Sequence, residues 1–191
     1  EGYKELPDDF MWKVYGLGLR GASKEMIYTS CKVGKGPEKG DIFYGLDFGY
    51  VNPTAMVKVE AYEGVCYVEE LLYRSGMTLT ECAQFIKGLN IGRAPVYADA
   101  AEPKSIEEIF RYGVNIQPAV KDVWSGILTV KAQDIRIHGQ NLESEMQSYK
   151  WKLDKEGNPI EEPIKLNDHL MDAMRYAIHT HLQPKVQLFA Y

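Results

Sequence analysis

The chemistry this sequence can offer rests on a few acidic residues and one histidine, far apart along the chain. Asp47 closes the apolar run Ile42-Phe43-Tyr44-Gly45-Leu46-Asp47-Phe48. A carboxylate at the end of a buried strand is costly unless it is paired or bound to a cation. Asp99 repeats the arrangement after Pro95-Val96-Tyr97-Ala98. The third piece is Asp168-His169-Leu170-Met171-Asp172, where His169 and Asp172 are three apart and share a helix face. Each piece alone also has a plain structural reading. Asp47 suits a turn ahead of Asn52-Pro53, Asp99 suits a turn before a helix, and His-x-x-Asp suits a solvated helix face. Asp168 reads more naturally as an N-terminal cap.

Together the pieces say more. Asp47, Asp99 and Asp172 with His169 supply hard oxygen donors plus one imidazole, a set suited to magnesium or manganese and not to a closed zinc site. Two such ions about 3.5–4 Å apart can hold the attacking water and the leaving oxygen of a phosphodiester in line. Ligands in open α/β sheets collect beyond the carboxyl ends of strands, where Asp47 and Asp99 would stand.

The elements that must position them are legible in outline. Strands are expected at 42–48, 54–62 and 65–72, the last two joined by a turn at Glu63-Gly64. Thr78 and Glu81 form a capping box opening a helix to about Asn90. A strand at 95–98 is followed by a helix from Pro103 to the stop at Gly113, with Ile106, Ile109 and Phe110 on one face. Then come a strand over 114–120, a helix over 124–133, a strand over 135–138 and a helix over 141–149. Segments 151–153 and 160–164 flank Glu156-Gly157-Asn158-Pro159 as a projecting hairpin. A last helix runs over 167–182, with Leu170, Met174, Ala177 and Ile178 as its core-facing stripe and Tyr176 continuing the His169–Asp172 face. A meander passing into alternating strands and helices predicts an α/β fold with a sheet of mixed direction.

Composition sets bounds. A chain of 191 residues, 45% hydrophobic and 26% charged, can bury a core without disulfides. Cys31, Cys66 and Cys82 have no metal-type spacing and fit small buried apolar roles in a reducing compartment. No apolar run reaches the roughly 18 residues of a membrane span, and the acidic start is no secretory leader. The opening without Met is what an excised segment of a longer protein would show. A net charge of −5 disfavours broad phosphate binding, but a site that gathers carboxylates for cations lowers the total by itself.

Three blocks carry a family resemblance. Residues 41–54 (DIFYGLDFGYVNPT), 97–106 (YADAAEPKSI) and 168–177 (DHLMDAMRYA) resemble the conserved blocks of tailed-phage terminase large-subunit nuclease domains. Residues 12–30 resemble the tail of the ATPase domain that precedes them there, and 149–153 with the following turn resembles their hairpin. The match runs in order over nearly the whole chain.

The resemblance implies an RNase H-like mixed sheet flanked by helices, and a two-metal endonuclease (Mg2+ or Mn2+) cutting double-stranded DNA with little sequence preference during genome packaging. It implies a division into an ATPase-domain tail or linker at 1–40, the nuclease at 41–184 and a tail at 185–191. Asp47, Asp99 and Asp172 match the family's ligands. His169 is a ligand, a group orienting Asp172 or a proton carrier, and Asp168 is the alternative for any of these roles. Expected partners are the ATPase domain of the same protein, the portal and the small terminase subunit, in the cytoplasm of a bacterial host. No G-x-x-x-x-G-K-[ST] phosphate loop is present, and Gly34-Lys35-Gly36 has the wrong spacing, so this chain should cut DNA without translocating it.

Candidate phosphate contacts are Lys104, Lys121, Lys131, Lys150, Lys152, Lys155 and Arg175. Trp151, between Lys150 and Lys152, reads first as a core residue. Competing readings are a junction resolvase or RNase H of the same fold, a sugar-kinase or actin-like ATPase, for which the chain is short, and a non-catalytic portal or DNA-docking module.

Overall fold

A computed structural model describes residues 25–29 and 31–183. The C-terminal tail, and most of the stretch read as the tail of a preceding domain, lie outside the described residues. The elements are β1 (Lys32–Val33), β2 (Asp41–Asp47), β3 (Thr54–Tyr62), β4 (Val65–Arg74), α1 (Leu79–Gly88), β5 (Val96–Ala98), α2 (Pro103–Arg111), β6 (Ile116–Pro118), α3 (Val123–Lys131), β7 (Asp134–His138), α4 (Gln140–Ser148), β8 (Trp151–Leu153), β9 (Pro159–Pro163) and α5 (His169–Leu182).

Seven strands form one mixed sheet in the order β1-β7-β4-β3-β2-β5-β6, and β8 pairs β9 as the expected hairpin. The meander β2–β3–β4 is antiparallel. Strands β5 and β6 then add in parallel on the β2 side, and β7 and β1 in parallel on the β4 side. The α/β mixed-sheet expectation holds. Strand β1 went unread because two residues carry no periodicity.

Alternation along the strands divides the core into two layers. Phe43, Val57, Val59, Val68 and Tyr97 point to the layer shared with α3, α4 and α5. Tyr44, Leu46, Met56, Val96 and Ala98 point to the layer under α1 and α2. The capping box at α1 is present in full, with the Glu81 N–H donating to Thr78 Oγ1 at 3.2 Å and the Thr78 N–H to Glu81 Oε2 at 2.8 Å. Pro103 opens α2 as expected.

Helix α5 departs from its expected amphipathic form. Every residue from Leu170 to Ile178, and His179 beyond, is buried, including Asp172, Arg175 and Tyr176. The helix is enclosed between the sheet and helices α3 and α4, so it has no solvated face on which Asp172 and Tyr176 could lie. Gly45 shows how closely it seats: a Cβ there would lie 1.8 Å from the Ala173 carbonyl oxygen. Only glycine allows β2 and α5 to meet at this distance.

Candidate active site

The parity of the strands decides which way the aspartates face. Phe43, Gly45 and Asp47 lie on one side of β2, and that side carries α5. Tyr97 points to the same layer from β5, so Asp99, two residues on, does too. Strands β2 and β5 are parallel neighbours with Leu46 opposite Ala98, which sets Asp47 and Asp99 level at adjacent strand ends. The seating of Ala173 on Gly45 brings Asp172 alongside them. Three carboxylates separated widely in sequence thus face one region.

The start of α5 is fixed from another helix. Glu145, 3% exposed on α4, accepts the Leu170 N–H at 2.7 Å and the Met171 N–H at 3.2 Å through Oε2. Asp168 therefore does not cap with its side chain, contrary to the sequence reading; it stands at the N-cap position, but the free amides are already taken. Glu70 serves α4 in the same way, accepting the backbone N–H groups of Asn141 and Leu142.

Each carboxylate of the site meets a cation or an imidazole. Asp47 Oδ2 lies 3.0 Å from His169 Nδ1. Asp172 Oδ1 accepts from Arg175 Nη2 at 2.8 Å, while its Oδ2 accepts from Lys165 Nζ at 3.2 Å. The same ammonium is 3.2 Å from Asp168 Oδ2. Asp99 Oδ1 is 2.9 Å from Lys121 Nζ and also accepts the Ala101 N–H.

The charges act on one another. Burial raises the Asp47 pKa, the negative charges of Asp172 and Asp99 raise it further, and the His169 bond opposes both. The hydrogen bond to Asp47 raises the His169 pKa. Burial would lower the Lys165 pKa, but Asp172 and Asp168 outweigh it and the net shift is upward. His169 thus pairs with Asp47, and not with Asp172 on its own helix.

Among the described residues, no three His, Cys, Asp or Glu side chains stand close enough together to hold one metal ion. The residues nonetheless fit a divalent cation. Mutually repelling carboxylates are gathered in a half-buried place, and two of their counter-charges are lysines more than half exposed to solvent. Positive charge is what the place requires, and lysine side chains can give way to a better source of it.

The basic residues proposed for phosphate contact separate into groups. Lys104 is exposed on the first turn of α2, just beyond Asp99, and Lys131 and Lys155 are exposed. Lys121 belongs to the site itself through Asp99. Lys150 pairs with Glu25 at 3.8 Å, and Lys152 pairs with Glu162 across the hairpin. Arg175 must be corrected: it is 2% exposed, with its guanidinium 4.7 Å from the Tyr176 ring centroid, and cannot reach a nucleic-acid backbone. Its guanidinium donates to Asp172 instead. Trp151 is buried against Trp124, as expected of a core residue. Lys165 and Glu145 were missed. Lys165 precedes the last helix and so falls outside its periodicity, and its offset of three from Asp168 is the one signal for it. Glu145 gave no signal, because a cap from another helix has no fixed spacing.

Comparison with known proteins gives the family. The model of the terminase RNase H-like domain matches residues 47–180. The large terminase subunit of Bacillus phage SPP1 is 28% identical over 167 residues, which is 81% of this chain and 39% of that protein, so the chain spans well under half of its relative's length. The crystal structure of the SPP1 large-terminase nuclease domain with bound Mn superposes with a TM-score of 0.72 at 26% identity, covering 81% of this chain and 98% of that one. The large-terminase nuclease of thermophilic phage G20c, with bound cobalt, shares the fold, with a TM-score of 0.63 at 17% identity over 82% of this chain and 98% of that one. None of the described helices is long and apolar enough to cross a membrane. The match over most of the sequence, the mixed sheet with its hairpin and the facing strand-end aspartates lead to one conclusion: the chain belongs to the terminase RNase H-like nuclease domain family.

Proposed function

We propose that this chain is the DNA-cutting part of a packaging terminase, a metal-dependent endonuclease acting on double-stranded DNA with little sequence preference. The observation that carries the reading is the level placement of Asp47 and Asp99 on neighbouring parallel strands with Asp172 seated against them. Manganese in the similar SPP1 nuclease domain supports a divalent requirement here.

Asp47, Asp99 and Asp172 would hold two Mg2+ or Mn2+ ions, with Asp168 at the margin. Bound there, such ions activate water and stabilise the leaving oxygen of a phosphodiester. His169 orients the Asp47 carboxylate through its 3.0 Å contact. Arg175 fixes Asp172 from the buried side. Lys121, paired with Asp99, and the exposed Lys104 would meet backbone phosphates, and Lys150 and Lys152 would do so at the hairpin by exchanging their glutamate partners. Such contacts position a duplex without reading bases. An ATPase domain, a portal and a small subunit complete the expected machine in the bacterial cytoplasm.

The test is plasmid cutting in Mn2+. The wild-type chain should nick or linearise supercoiled DNA, and Asp172→Ala should abolish this. Undiminished cutting by Asp172→Ala would remove that residue from the reaction. Four-way junctions and RNA–DNA hybrids in the same assay separate this reading from a resolvase or an RNase H.

A further inference from the structure

The two oxygens of Asp172 have partners of opposite character. Oδ1 meets Arg175, which is 2% exposed and locked in place: a Cβ on Gly126 would come within 2.8 Å of the arginine Cγ. Oδ2 meets Lys165, whose side chain is 53% exposed and which also reaches Asp168 Oδ2. Lys165 lies between β9 and α5, and the backbone of this linker is tied by the Ile164 N–H to the Lys150 carbonyl at 2.8 Å. The ammonium can leave by rotating its own side chain, with no movement of strand or helix. Arg175 cannot leave at all.

We propose that Lys165 is a displaceable counter-cation of the metal site. It neutralises Asp168 and Asp172 in the free protein and is expelled when a divalent ion takes Asp172 Oδ2. This rests on the metal-dependent reading above. Two buried carboxylates facing one region repel each other, and a cation beside both relieves that repulsion while keeping them ionised. A lysine holds the carboxylates close at modest cost, since half-exposed ion pairs are weak and exchangeable. Lys165 therefore competes with the metal and sets the concentration at which the site fills. Once released, its ammonium remains beside the site.

The test is Mn2+ titration of the full chain by calorimetry, with thermal melts in EDTA and in Mn2+. Lys165→Gln removes the competitor; Lys165→Arg keeps the charge. Each pair of this exposure is worth at most about fivefold in an equilibrium, so Lys165→Gln should bind Mn2+ about three- to tenfold more tightly. It should also melt lower than wild type in EDTA and gain more from Mn2+, because its carboxylates lack a partner until the ion arrives. Lys165→Arg should stay within about twofold of wild type. Mn2+ binding by wild type with equal or weaker binding by Lys165→Gln overturns the proposal while leaving the metal site standing. No Mn2+ binding by either protein overturns both.

Discussion

Gly45→Ala should damage the site without touching any of its polar groups. The new methyl would lie 1.8 Å from the Ala173 carbonyl oxygen and 3.1 Å from the Ala177 Cβ. A carbon–oxygen contact needs roughly 3.3 Å, so β2 and α5 must part by about 1.5 Å. The obstacle is helix backbone and cannot rotate away. Overpacking of this kind costs about 1–3 kcal/mol, and a backbone obstacle belongs at the upper end. At about 2–4 °C per kcal/mol for a domain of this size, the melting temperature should fall by roughly 6–12 °C. The parting also carries Asp172 away from Asp47 and Asp99, and a misplacement of about 1 Å can cost on the order of 100-fold in rate. Plasmid cutting in Mn2+, at a temperature where circular dichroism shows the variant folded, should drop by about that factor. Gly88→Ala is the control, because a Cβ there meets nothing within 4 Å; it should cut like wild type and melt no lower, since alanine favours a helix over glycine. A Gly45→Ala protein with wild-type melting and cutting would refute the close seating of α5 and the convergence built on it.

The pH dependence of stability should carry the mark of His169. Its pKa is raised in the folded state by the Asp47 bond, so the folded chain binds more protons than the unfolded chain just above the ordinary histidine range. The stabilisation is complete below the unfolded pKa of about 6.5 and is lost as pH rises through the folded value. Urea midpoints in EDTA at a series of pH values should show this slope in wild type. His169→Gln should remove it, and an identical slope in both would deny the pairing. Arg175→Met should strip Asp172 of its fixed partner. Breaking a buried pair costs about 3–5 kcal/mol, and because Lys165 still attends Asp172 the lower figure applies. Urea denaturation should show that loss, and a midpoint like that of wild type would refute a holding role for Arg175.

Much of the fold was written in local patterns. The apolar run to Asp47, the Glu63-Gly64 turn, the Thr78–Glu81 box, Pro103 and the hairpin all reappear within a few residues of their expected places. These signals are short-range, set by periodicity, caps and turns. What stayed hidden depends on distant partners. No local pattern places β5 beside β2; only the family resemblance implies that Asp99 meets Asp47, and the pairing of the two strands is what levels them. The amphipathic reading of α5 failed because it presumes water on one side, whereas α3, α4 and the sheet surround this helix. Arg175 looked like a surface cation for the same reason. Glu145 was invisible as a cap, since the amides it serves belong to a helix that starts more than twenty residues later.

The position of α5 in the chain has a temporal consequence. Synthesis delivers Asp47 and Asp99 early, on strands that pair with each other, but Asp172 emerges only after every strand has been made. Until that helix arrives, the groove over Gly45 is open and two acidic groups stand without the third. On the proposed reading, a nascent or truncated polypeptide ending before His169 would lack the third carboxylate and should not cut DNA. The three carboxylates come together only with the burial of the helix that closes the core.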